Sequence, residues 1–254
     1  MLSFKNVAGG PYASPLVSDL SFLLCSVGGR DPFPTRFRPG PFLTPIPNAP
    51  FSGVVNLERT IIGKDGSVTQ LKSTREIARD TRGRIHNESR ALIPVSSTDA
   101  PEVLHILLYD PQTRISTEID VRTRTFWTRT INHPPSSEPP SIRFAAPDGN
   151  APPNEFTKQE DLGIREIVGV PAHGIRETQT VTDESDGKEV VISDEYWYSQ
   201  DLRIYLMTKH SDPRKGITAM KVAQVTRTEP DPAFFEVPEG YTRPEAQTET
   251  EKSN

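Results

Sequence analysis

A single cysteine, Cys25, among 254 residues excludes an internal disulfide and any metal site built from several thiolates. Positive charge is not in excess either. The 29 Lys and Arg are outnumbered by 34 Asp and Glu, giving a formal net charge of -5 spread along the chain, so no basic stripe exists to hold a phosphate backbone, and nucleic acid is not an expected partner. Long apolar runs are missing. The most apolar N-terminal window, Leu20 to Val27, falls well short of the roughly 20 residues of a membrane helix, so the chain is not expected to span a bilayer. That window follows Asp19 and has only Lys5 as a positive flank, unlike a secretory signal with its basic start. The familiar catalytic motifs are absent too: there is no G-x-S-x-G elbow, no P-loop, no G-x-G-x-x-G after a strand and no H-E-x-x-H. Nucleophilic hydrolysis, phosphate cradling and zinc catalysis therefore lack their usual local geometry, and neither a catalytic residue, a cofactor nor a metal is expected.

What the chain has in quantity is proline, 25 residues, and it is concentrated. Residues 1–50 hold Pro11, Pro15, Pro32, Pro34, Pro39, Pro41, Pro45, Pro47 and Pro50, and proline removes a ladder donor, so this arm cannot supply inner strands. One piece of it, 15–27, reads as a short helix with Ser14 as N-cap, Pro15 at the first position and Gly28 as a stop, or else as a degenerate export signal. A second proline-rich stretch, 132–156, reads as a long loop inside one domain rather than a linker, because each half alone would leave open sheet edges. Residues 242–254 read as a disordered polar tail.

Between these stretches, residues 51–241 show short runs of β-formers separated by Gly, Asp and Pro turns, the pattern of an antiparallel meander. GVVNLERTII, the turn GKDG and SVTQLKSTREIAR form the first expected hairpin. Residues 114–127 alternate throughout, which predicts one strand with Ile115, Thr117, Ile119, Val121, Thr123, Thr125 and Trp127 on one face and Arg114, Ser116, Glu118, Asp120, Arg122 and Arg124 on the other. No helical pattern of crossover length intervenes, so the fold class is all-β: a single curved antiparallel sheet of about ten strands with few short helices.

The segments EDLGIREIVGVPAHGIRET, EYWYSQDLRIYLMTKHSDPRKG and TRTEPDPAFFEVPEGY, with PFSGVVNLERT at the start of the domain, resemble a group of secreted bacterial proteins of acidobacterial type. Those proteins distantly resemble the lipoprotein-carrier (LolA-like) half-barrel superfamily. The resemblance implies an open half-barrel, an extracytoplasmic location in the periplasm or beyond, and a lipid or acyl chain sheltered by the sheet. It brings no catalytic residues with it.

The residues themselves offer few sites. His86 and Glu88 share a strand face and read as a solvated pair; His210 with Asp212 reads as turn chemistry around a DP dipeptide. Asp194 and Glu195 are adjacent on a strand and so point to opposite faces, which argues against a shared carboxylate pair. The aromatic residues are the candidate ligand-binding set: Trp127, Tyr196, Trp197, Tyr205, Phe234 and Phe235. A two-residue hairpin loop at Gln200 and Asp201 would set Tyr196 opposite Tyr205 and Trp197 opposite Ile204, either as a ladder that stabilises the sheet or as a cavity lining. Asp231 and Pro232 can open one helical turn that points Phe234 and Phe235 inward. The expected function is a noncatalytic binding or carrier protein that offers an apolar concave face to a lipid or acyl ligand. The alternative is a structural protein of the cell envelope, with a self-filled core and a protein partner.

Overall fold

The computed structural model describes residues 43–132, 157–183 and 186–244. The expected helix 15–27, most of the proline-rich arm, nearly all of the 132–156 loop and the last ten residues lie outside them. Twelve strands are present: β1 Phe51–Ile62, β2 Val68–Arg79, β3 Ile85–Arg90, β4 Ile93–Pro94, β5 Val103–Asp110, β6 Ile115–Asp120, β7 Thr125–Thr130, β8 Thr157–Ile167, β9 Val170–Thr182, β10 Glu189–Ser199, β11 Ile204–Asp212 and β12 Gly216–Thr226. All belong to one antiparallel sheet in the order β7-β6-β5-β3-β2-β1-β12-β11-β10-β9-β8, with β4 added beside β2. Each half is a meander, and the halves meet where β1 pairs with β12 over ten matched positions from Ser52↔Thr226 to Ile61↔Gly216. Hydrogen bonding does not close the sheet, and it forms an open, curved half-barrel.

The direction of the curl follows from one arginine. Arg79 on β2 donates from Nη2 to the carbonyl of Leu202, 2.8 Å away, in the β10–β11 turn. In a flat sheet β2 and β11 lie three strand spacings apart, roughly 14 Å, twice what an arginine side chain spans. The sheet therefore bends toward the face that carries Arg79. That face bears Phe51, Val55, Ile77, Met220 and Val222, all fully buried. Arg79 is itself closed to solvent, with its remaining donors on the carbonyls of Thr44 (2.8 Å) and Ala49 (2.9 Å) and its guanidinium 5.0 Å from the Phe51 ring. Burial pushes its pKa down to about 10, which leaves it charged at neutral pH. These bonds dock residues 44–49 against the barrel end, where Asn48 N–H also donates to Thr81 O.

Several expectations need correction. The strand expected over 114–127 is a hairpin: Asp120 accepts from the N–H groups of Arg122 and Thr123, Arg124 turns at φ 54°, and β7 returns along β6. Trp127 consequently pairs with Glu118, and Phe126 takes the place opposite Ile119. The β10–β11 connection also differs from a two-residue loop. It spans Gln200 to Arg203 with Arg203 at φ 51°, and a bulge at Leu206 shifts the register, so Tyr198 faces Tyr205 and Trp197 faces Met207. At the tail, Thr242 exchanges backbone bonds with Phe126 and Arg124, covering the free edge of β7. The expected turn after Asp231 is present as a 3-10 turn over Pro232–Phe235, with Asp231 accepting from Ala233 N–H at 2.9 Å. Among the described residues no helix is long and apolar enough to cross a membrane.

Candidate functional site

Register builds the concave face in rows. One row reads Ser73, Leu57, Met220, Thr208, Tyr196, Ile175 from β2 to β9. A second reads Glu118, Leu107, Asn87, Ile77, Gly53 from β6 to β1, and a third Ser116, Tyr109, Ile85, Arg79, Phe51. The apolar members are those that alternation demands of a buried face. The polar members are less expected in such a place. Asn87 is 2% exposed, Tyr109 2%, and Ser116 and Thr208 0%. Among the described residues both amide atoms of Asn87 and the hydroxyls of Tyr109, Ser116, Tyr198 and Thr208 have no hydrogen-bond partner. A buried polar atom without a partner costs about 1–3 kcal/mol, and such atoms are rare in native interiors. Among the described residues all such atoms but one, His86 Nε2 on the opposite face, lie on one face of the sheet, across β3, β5, β6, β10 and β11.

A row nearer the other barrel end brings acids and a histidine together: Glu177, Asp194 and His210 lie side by side on β9, β10 and β11. His210 Nδ1 is 2.6 Å from Asp194 Oδ1. Burial raises the Asp194 pKa against the opposing effect of His210, and burial followed by the neighbouring Asp194 charge raises that of Glu177. His210 was expected to belong with Asp212, but Asp212 instead binds Arg214 within its own turn. The carboxylate pair on one face, Glu177 with Asp194, escaped the sequence because only cross-strand register joins residues so far apart. An Asp–His pair can orient a base, but Thr208, two residues from His210 on the same face, is fully buried and its hydroxyl is bonded to neither. No group of three or more His, Cys, Asp or Glu among the described residues could hold a metal ion.

The six aromatic candidates do not converge. Tyr196 and Tyr205 lie on the concave face with ring centroids 5.8 Å apart, and Tyr198 meets Tyr205 edge-on at 5.3 Å. Burial pushes the phenols of Tyr196 and Tyr205 up. Trp197 is on the convex face, where Arg165 stacks at 3.7 Å, Glu195 accepts its indole N–H at 2.6 Å, and Gly174 leaves room for the ring. Trp127 is 41% exposed near the β7 edge and donates to Glu118. Phe234 and Phe235 also cover the convex face. Phe234 packs edge-on against His86 at 5.0 Å and borders a shallow hollow of about 120 Å³ with Val54, Glu76 and Gln224; Phe235 lies beneath Arg84. This turn explains a further correction, since His86 and Glu88 are buried rather than solvated. The Phe234 carbonyl accepts from His86 Nδ1 at 2.7 Å, and Arg90 holds the Glu88 carboxylate at 2.6 Å.

No family model matches the chain, and no curated protein does. Solved structures similar in fold include the Pseudomonas aeruginosa MucA/MucB complex, at TM-score 0.36 and 12% identity over 75% of this chain and 56% of that one. A LolA superfamily protein from Nitrosomonas europaea gives 0.26 and 11%, over 75% and 91%. A DUF1329 family protein from Desulfovibrio piger gives 0.21 and 13%, over 74% and 90%. The match spans little more than half the length of the MucB chains. With every TM-score below 0.5, these likenesses carry no functional weight.

Proposed function

We propose that the chain is a noncatalytic extracytoplasmic binding or carrier protein whose concave sheet face receives a lipid or acyl chain. The observation that carries this reading is the composition of that face: fully buried Val55, Ile77, Met220 and Val222 stand among Asn87, Tyr109, Tyr198 and Thr208, whose polar side-chain atoms have no partner among the described residues. A face meant only to be core would be apolar or internally bonded. Apolar walls with a few open polar groups are what a site for an amphipathic small molecule requires. Of the six aromatic candidates, Tyr196 and Tyr205 belong to the proposed lining, while Trp127, Trp197, Phe234 and Phe235 serve the edge and the convex side. The competing reading, an envelope structural protein with a self-filled core, would need those polar atoms to be satisfied from within. Native mass spectrometry of protein isolated from its source without detergent tests the choice. A co-purifying mass released by organic solvent is expected; protein that carries none and binds no long-chain probe would refute the carrier reading.

A further inference from the structure

Two arginines stand four residues apart on the same face of β2, and the contrast between them is informative. Arg79 is closed off, with three carbonyls and an aromatic ring around its guanidinium. Arg75 lies farther along the concave face, directly opposite Val55. Among the described residues it makes no hydrogen bond and no ion pair, and it is only partly buried. Enough protein surrounds the guanidinium that desolvation alone lowers its pKa. A guanidinium that has given up water without gaining an anion is costly, and proteins ordinarily pair such a charge or leave it outside.

The neighbour that completes the arrangement is Asn87. It stands opposite Ile77, and Arg75 follows two residues away on the same face, which makes the two side chains diagonal neighbours with Cα atoms roughly 7–8 Å apart. Asn87 is 2% exposed, and neither of its amide atoms is bonded among the described residues. The pair thus offers the forked donors of a guanidinium and one amide N–H, all unspent, on an otherwise apolar wall of Val55, Ile77 and Val222. Such donors match the planar oxygens of a carboxylate or the oxygens of a phosphate monoester.

We infer that Arg75 and Asn87 receive the anionic head group, carboxylate or phosphate, of an amphiphile whose tail enters the concave face past half-buried Leu57, parting the core side chains Val55, Ile77 and Val222 that the free protein closes to solvent. The inference rests on the proposed carrier function and specifies the ligand's charge. Its bound head group would neutralise Arg75 and bond Asn87, removing at one stroke the two costs that the free face bears.

The experiment is a calorimetric titration, below micelle-forming concentrations, with oleate, monooleyl phosphate, oleyl alcohol, acetate and inorganic phosphate, on the native chain and on Arg75→Leu, Arg75→Gln and Arg75→Lys. The native chain is expected to bind at least one anionic oleyl probe about tenfold or more tighter than oleyl alcohol, as a desolvated charge-assisted bond requires. Arg75→Leu and Arg75→Gln should each erase that preference by bringing the anionic probes down to the affinity of the alcohol, and Arg75→Lys should retain part of it. Removing an unpaired charge should not lower the melting temperature, so the variants remain folded for the comparison. Equal binding of alcohol and anions, untouched by the substitutions, would overturn the role of Arg75 and leave the acyl-chain reading standing. Inorganic phosphate or acetate binding as tightly as its oleyl counterpart, with dependence on Arg75, would keep the anion site but overturn the amphiphile. No binding of any oleyl probe would overturn the carrier reading and the inference with it.

Discussion

Gly174 and Trp197 show how a convex-face aromatic can be structural. A Cβ at position 174 would stand 2.6 Å from the indole ring, closer than real carbon contacts allow. Gly174→Ala must therefore push Trp197 out of its place between Arg165 and β9, at a cost of about 1–3 kcal/mol for overpacking. A lowered melting temperature with unchanged binding of acyl probes is the expected outcome; loss of binding at full stability would move Trp197 into the site. Asp212 supplies a test in pH. Its carboxylate, 2% exposed and sealed by its own turn, accepts from Arg214 at Nη2 (2.8 Å), Nε (3.0 Å) and the backbone, and the Arg214 side chain is the chief reason its pKa is lowered. A lowered acid pKa means stability that is present above the ordinary aspartate value, roughly 4, and lost as pH falls through the lower folded value. Asp212→Asn should thus cost about 1–2 kcal/mol at pH 7, and the difference between the two proteins should shrink in strong acid. Glu177 has the opposite sign. Its raised pKa burdens the fold at neutral pH, and the burden is relieved as pH falls toward the ordinary glutamate value, so Glu177→Gln should raise the melting temperature at pH 7 and do little at pH 4.

At the scale of elements, the turns decide what could be read from the chain. The β1–β2 hairpin was legible because β-branched alternation stops at GKDG and Gly66 adopts φ 80°, where turn and pattern agree. Across Asp120 to Arg124 they disagree. Val121 and Thr123 continue the alternation through the turn, and the break is marked only by Asp120 capping two N–H groups and by an arginine in the left-handed region. The same device, an aspartate four residues before a left-handed arginine, occurs one hairpin earlier at Asp110 and Arg114, and that repeat was the signal available to a closer reading. The four-residue β10–β11 turn displaced the expected pairing of Tyr196 and Trp197 by two positions, and the bulge at Leu206, which left no sequence signature, displaced it by one more. The β8–β9 turn carries a test of its own. Val168 at φ 48° precedes Gly169 at φ 74°, and a β-branched residue fits the left-handed region poorly. Because Val168 is 37% exposed, little packing is at stake, and Val168→Asn should stabilise the protein by about 1 kcal/mol, visible as a higher melting temperature. An unchanged or lower value would mean that the valine contributes a contact worth its strain.

At the scale of the whole molecule, one sheet of two meanders was foreseeable from strand count and the absence of crossover helices, and so was its curvature. Which face is concave was not, because it depends on Arg79 reaching Leu202 across the sheet. Nor could the site be read ahead: Arg75, Asn87, Tyr109 and Thr208 are ordinary strand residues until register puts their unbonded groups on one face. The central claim is that this face, and not its back, takes the ligand. Leu57 lies half-buried on the concave side, and Ile217 is 39% exposed on the convex side of the adjacent strand β12, so each can be replaced by tryptophan and compared. The decisive measurement is the affinity of a fluorescent long-chain acyl probe for Leu57→Trp and Ile217→Trp, each first shown by circular dichroism to keep the native sheet. The expected result is at least about a tenfold loss of affinity for Leu57→Trp, the scale of losing one well-packed apolar contact, and none for Ile217→Trp. A probe that binds Leu57→Trp as tightly as the native chain, or loses affinity only with Ile217→Trp, would contradict the assignment of the concave face as the binding site.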